Sequence, residues 1–260
     1  MIHLEQIKNF FPEEIRENAS FHKYMLKEYI QLLILDFLSS TPFVRKVVFI
    51  GGSNLRLTKG IDRFSEDLDF DCQDFPKEEF MEMTDAIISF LKRSGFRLQV
   101  RDRDDKKLSA FRRNILFPGL LLDLGLSGHR EERFLIKVES EDQQVKYKPL
   151  LLNIKGCGFY FPFPVPPDDV LCAMKLSAML SRQKGRDFYD AMFLLAQSPP
   201  DYNFLSDRMH IHNLKELKAS VSEILKSVDL KVKKKDFEHL LFQKRNSERI
   251  LSVGDFFRDL

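Results

Sequence analysis

Residues Gly51 to Cys72 read GGSNLRLTKGIDRFSEDLDFDC. The fold turns on what the acids at alternate positions, Asp67, Asp69 and Asp71, are doing. One reading is a calcium loop, since D-x-D-x-D is followed by Glu78 at the twelfth position. That loop needs glycine at its sixth residue for a sharp turn, and Cys72 stands there. Leu68 and Phe70 want burial, and Pro76 interrupts the loop. A second reading is an ordinary strand with one solvated polar face. A third is a magnesium site. Side chains at i and i+2 of a strand point the same way, so Asp67 and Asp69 present two carboxylates together. They repel unless a cation lies between them.

The surroundings favour the third reading. Val44 to Ile50, VRKVVFI, is β-branched and predicts a strand running into Gly51-Gly52-Ser53. Glycines let backbone N–H groups approach a triphosphate, and the Ser53 hydroxyl is a candidate donor to the same phosphate. Arg56 and Arg63 are placed to neutralise charge or to pair with acids. Downstream, FLIKVESED alternates, so Lys137 and Glu139 share one strand face. On the residues alone this is either an ordinary exposed strand pair or an added carboxylate for an acidic site, as third ligand or general base. Asp123, in the apolar LLLDLGL, is its rival.

A strand, Gly-Gly-Ser, about a dozen residues and then Asp-x-Asp on a strand is the arrangement of the DNA polymerase β-type nucleotidyltransferases. The fuller string FIGGSNLRL…DRFSEDLDFD closely resembles the AbiEii/AbiGii toxin family of that superfamily. The resemblance spans roughly residues 44–195. It implies a helical Lys followed by an Arg-Asp-x-x-Asp segment. AMKLSAMLSRQKGRDFYDAMFLL supplies Lys175, Lys184, Arg186, Asp187 and Asp190. By resemblance, Asp67, Asp69 and Glu139 are the metal ligands. Lys175 and Asp187 join them as catalytic residues. Gly51, Gly52, Ser53, Arg56, Lys137, Lys175 and Arg186 are the nucleotide-binding set. The family's Lys often stands directly before its Asp. Here Gly185 and Arg186 separate Lys184 from Asp187, which leaves either cation as the equivalent.

The implied reaction is Mg²⁺-dependent transfer of NMP from an NTP to an acceptor hydroxyl, with Mn²⁺ as the substitute ion. RNA, tRNA 3′ ends in particular, is the implied acceptor, and a cognate antitoxin the implied protein partner. Two alternatives stay open: γ-phosphoryl transfer to a protein, and a non-catalytic binding module of the same fold.

Composition sets the frame. The chain has 260 residues, 43% of them apolar, with 25 Phe and no Trp, and a formal net charge of +2. That is a globular composition, and any basic surface must be local. Cys72, Cys157 and Cys172 form no CxxC pair, which argues against a zinc site or a disulfide framework. No signal pattern opens the chain. The apolar run YIQLLILDFL holds Gln31 and Asp36 and falls short of the roughly 20 residues of a span. A cytoplasmic protein without membrane contact is expected.

Helical period is read over Pro12 to Ser39, over KEEFMEMTDAIISFLKRSG, from Asp168 (as N-cap) to Ser198, and after Asn213. FRLQVRD, AFRRNILFPG and LLLDLGLSG read as strands. Four prolines within residues 161–167 suggest the end of the sheet. The expected fold is α+β: a mixed nucleotidyltransferase sheet flanked by helices over residues 1–162, then a helical domain over residues 163–260. Lys231, Lys233, Lys234 and Lys235 read as a solvated face or as a hold on RNA backbone.

Overall fold

The computed structural model describes residues 3–72, 75–102 and 111–260. Ala110, which opens one of the expected strands, lies outside them. The chain falls into two compact units. The first comprises residues 1–60, 64–143 and 150–165; the second comprises residues 61–63, 144–149 and 166–260.

The first unit is α+β. Helix α1 (His22–Ser39) precedes β1 (Val48–Ile50), a short helix α2 (Gly51–Asn54) and a π-helical turn, Leu55–Lys59. Then come β2 (Asp67–Asp71), helix α3 (Lys77–Arg93), β3 (Gln99–Asp102), β4 (Phe111–Leu116) and β5 (Leu135–Glu141). These five strands form one mixed sheet in the order β1-β2-β5-β4-β3. Only the β2–β5 pair is parallel; β1–β2, β4–β5 and β3–β4 are antiparallel.

Alternation gives this sheet two unlike faces. Phe49, Leu68, Phe70, Ile115, Ile136 and Val138 are all at most 1% exposed. Each such side chain stabilises the fold by roughly 1.5–3 kcal/mol. Phe37 of α1 stacks on Phe90 of α3 at 4.3 Å between ring centres. The opposite face carries Asp67, Asp69, Lys137 and Glu139, only partly buried. The D-L-D-F-D pattern is thus one strand serving a core and a charged face at once.

A hairpin completes the unit: β6 (Leu150–Gly156) paired antiparallel with β7 (Phe159–Val165). Sequence reading ended the sheet at these prolines. Pro162 and Pro164 in fact sit in β7, two residues apart. Backbone N–H groups at that spacing point the same way, so the ladder runs through the intervening residues and loses no donor it needs. Phe163 reaches Phe49 and Phe70, each at 6.1 Å between ring centres.

Other expectations shift. The Pro12–Ser39 helix is broken: Glu13–Arg16 forms a separate turn, and Asn18 caps a 3₁₀ turn through Ser20 N before α1 begins. The strand expected from Val44 starts only at Val48, because Pro42–Arg45 is a 3₁₀ turn. LLLDLGLSG is no strand. Leu120–Asp123 is one helical turn, entered through Gly119 at φ +74°.

The second unit is mainly helical: α4 (Asp168–Arg182), α5 (Gly185–Leu195), α6 (Tyr202–Met209), α7 (Leu214–Leu225), α8 (Leu230–Lys235) and α9 (Val253–Asp259). Asp168 is the first helical residue, not the cap; Pro167 takes the cap position. Gln183, at φ +53°, separates α4 from α5, where sequence period read one helix. Asn213 caps α7 as expected, accepting from Glu216 N at 3.0 Å. Among the described residues, no helix is long and apolar enough to cross a membrane.

Candidate active site

The parallel register of β2 on β5 builds the charged face. It sets Asp67 against Lys137 and Asp69 against Glu139. Lys137 Nζ lies 3.1 Å from Asp67 Oδ2 and 3.5 Å from Glu139 Oε1. On the other side of β5, register sets Arg112 against Glu139, and Arg112 Nε pairs with Glu139 Oε1 at 2.6 Å. Burial alone would lower the Lys137 pKa; the charges of Asp67 and Glu139 outweigh it and hold the ammonium above its ordinary value. The side chains of Asp67, Glu139, Lys137 and Arg112 are 20%, 21%, 28% and 30% exposed. Water and a polar ligand therefore reach this face.

The glycine turn lies directly against the second acid. Gly51 has φ +82°, and a Cβ built there would overlap the Asp69 carboxylate, standing 2.7 Å from Asp69 Cβ and Cγ. Glycine is required twice over, by backbone and by space. Ser53, expected on a phosphate, is 1% exposed, and its hydroxyl donates to the Asp67 carbonyl. Its donor is committed to holding β2 rather than facing solvent. Gln31 of α1, 2% exposed, donates from Nε2 to the Ser65 carbonyl at 3.3 Å and to the Asp67 carbonyl at 3.5 Å. Arg56 pairs with Glu28 of α1 at 2.9 Å and lies 5.8 Å from the Phe64 ring centre.

Two acids left open by the sequence are placed elsewhere. Asp71, which alternation puts on the face of Asp67 and Asp69, is 2% exposed and accepts from Gln143 N at 2.9 Å, tying down the end of β5. Asp123 is exposed and pairs with Arg97.

The helical segment forms a second cluster, within the second unit. Asp190, wholly buried, takes Arg63 in a two-pronged pair at 2.8 and 2.6 Å and Lys175 Nζ at 2.9 Å. Burial would raise the Asp190 pKa; Arg63 and Lys175 overcome this and bring it down to about 2. Of the two acids in this segment, it is Asp190 that seats Lys175. Asp187 accepts from Arg182 at 2.7 Å and from Lys184 N at 3.2 Å, capping α5. Arg186 makes no ion pair among the described residues.

The donor chemistry of Asp67, Asp69 and Glu139 suits a hard divalent cation, and Lys137 already places a positive charge between two of them. Among the described residues, no three His, Cys, Asp or Glu side chains converge as a ready ligand set. The carboxylates fit such an ion in kind, with Lys137 as the charge now standing among them.

Residues 33–247 match the family described as nucleotidyl transferase AbiEii toxin, Type IV TA system. The chain belongs to this family. AbiEii membership makes it a nucleotidyltransferase toxin of a toxin–antitoxin system, acting on an NTP. Solved structures share the fold. MenT4, a nucleotidyltransferase toxin from Mycobacterium tuberculosis, aligns with a TM-score of 0.60 at 19% identity, covering 100% of this chain and 91% of its own. JHP933 from Helicobacter pylori aligns with a TM-score of 0.55 at 19% identity, covering 90% of each chain. No curated protein matches the chain significantly.

Sequence reading of this AbiEii chain did not single out Gln31 or Arg112. Gln31 had a signal, since it interrupts an apolar helix face. Arg112 had none, because its partner is set by β4–β5 register.

Proposed function

We propose that the protein transfers NMP from an NTP to a hydroxyl of RNA, tRNA 3′ ends foremost, on the Asp67–Asp69–Glu139 face. One observation carries the reading. A glycine turn is pressed against one of the two partly exposed acids of β2, and the parallel neighbour adds a lysine and a further acid on the same face.

Asp67, Asp69 and Glu139 would hold Mg²⁺, which when bound neutralises charge between the acids and the triphosphate. Gly51 and Gly52 leave backbone within reach of the phosphates. Lys137, held protonated by its acid neighbours, brings a fixed positive charge to the same place. Ser53 and Gln31 fix the backbone of Asp67. The acceptor oxygen forms a bond to the α-phosphorus, the bond to pyrophosphate breaks, and the hydroxyl proton is released. Catalysis of this kind is positioning and charge neutralisation.

The test is incubation with each α-labelled and each γ-labelled NTP and total tRNA. Label entering RNA from the α-phosphate, and lost in Asp69→Asn, supports the reading. Label on protein from the γ-phosphate would establish the kinase-like alternative instead.

A further inference from the structure

The second unit gathers basic residues that the acidic face does not use. Gly185, the first residue of α5, lies against the backbone of Lys233 in α8. A Cβ there would overlap the Lys233 carbonyl oxygen and stand 2.8 Å from its carbonyl carbon and from Phe237 Cδ1. Only glycine permits so close a backbone approach. Its consequence is electrostatic. Lys184 and Arg186, which flank Gly185, are brought next to the Lys233 backbone, in the helix that also carries Lys231 and Lys235, though 45 residues or more separate the two segments in sequence.

Three of the acids nearby are engaged, while Asp236, exposed and directly after Lys235, offsets one of the cations. Asp187 is buried and holds Arg182. Glu248 pairs with Lys234 at 3.1 Å, and Asp229 caps α8 through Lys231 N and Val232 N. Arg186, Lys231, Lys233 and Lys235 make no ion pair among the described residues. In a chain whose formal charge is only +2, this local excess is a self-repulsive arrangement that a polyanion would relieve.

We propose that the corner where α8 meets the start of α5 binds the phosphate backbone of the RNA acceptor. This rests on the RNA-acceptor reading above. Lysine is depleted in protein interfaces, whereas mobile ammonium groups are the usual partners of phosphates. That favours a nucleic acid over an acidic protein. Lys231 and Lys235, one helical turn apart and both exposed, form its outer edge.

The experiment is fluorescence anisotropy of a 5′-labelled single-stranded oligoribonucleotide titrated with the full chain between about 50 and 200 mM salt. Lys231→Ser/Lys235→Ser should weaken binding about tenfold or more at low salt. It should also reduce the slope of log affinity against log salt by about 0.7 per lysine. Lys231→Arg/Lys235→Arg should keep both, and an unchanged melting temperature certifies the fold. Unaltered affinity and slope in the serine variant would overturn the proposal. So would a loss of polyglutamate binding with RNA binding intact. The two readings fail separately. RNA that binds in this way but takes no label from any NTP sinks the transfer and leaves the surface. RNA labelled with an unchanged KM in the serine variant sinks the surface and leaves the transfer.

Discussion

Two clusters of opposite charge sit in this molecule, and they are built to different rules. On the sheet face, Asp67, Glu139, Lys137 and Arg112 are each 20–30% exposed. In the helical unit, Arg63 and Asp190 are each 1% exposed and Lys175 is 9% exposed. The buried cluster is closed to water, with both Asp190 oxygens engaged by cations. The sheet cluster is open, with acids in excess and water at hand. Closed charge specifies architecture, because every change leaves an uncompensated ion. Open charge can trade partners, which is what a substrate triphosphate requires.

Substitution in each cluster should separate the two rules. Asp190→Ala removes the buried carboxylate that Arg63 and Lys175 share and should cost about 3–5 kcal/mol of stability. Asp69→Asn should leave the denaturant midpoint nearly unchanged while transfer falls by about two to three orders of magnitude. Chemical denaturation and product assays on both variants check this. An Asp69→Asn protein as unstable as Asp190→Ala would erase the distinction.

Acid sharpens the comparison. The Asp190 pKa falls from 3.8 to about 2 on folding. Its contribution is therefore fully present above pH 3.8 and is lost as pH falls through about 2. The shift corresponds to roughly 2 kcal/mol. Urea unfolding at pH 5 and pH 2.5 should show part of that loss. In Asp190→Asn, the loss over that interval should shrink by the same amount.

The smallest effect tests the support of the open cluster. Gln31→Met removes one of two donors on the Asp67 carbonyl and should lower kcat about tenfold with little change in KM. Ser53→Ala removes the other. Since both act on one atom, their combined effect on kcat should differ from the sum of the two, a coupling of about 0.5 kcal/mol or more. Simple additivity would show that they act on different things.

Much of the sheet was legible because its signal is local. D-L-D-F-D and FLIKVESE alternate, and alternation alone separates core from charged face. Lys137 and Glu139 could be placed on one face for the same reason. Their partners could not. That Asp69 meets Glu139, or that Arg112 does, follows from strand register, which no short stretch encodes. Asp71 obeyed the alternation yet was captured by Gln143 N at the end of β5. Asp187 and Asp190 were indistinguishable by spacing; the folded second unit, which gathers residues 61–63 and brings Arg63 to Asp190, is what tells them apart. The β6–β7 hairpin was hidden because prolines two residues apart resemble a break until the pairing is known.

Gly51 carries a consequence for the history of such a chain. The Asp69 carboxylate occupies the space that any side chain at residue 51 would fill. Position 51 therefore has no conservative substitution. A chain that acquires even one methyl group there loses its second acid's seat without losing the acid. Shortening or lengthening residue 69 cannot repair the damage, because the obstruction begins at Asp69 Cβ itself. Turn and acid thus constrain each other: a side chain at residue 51 and the Asp69 carboxylate cannot both keep their places.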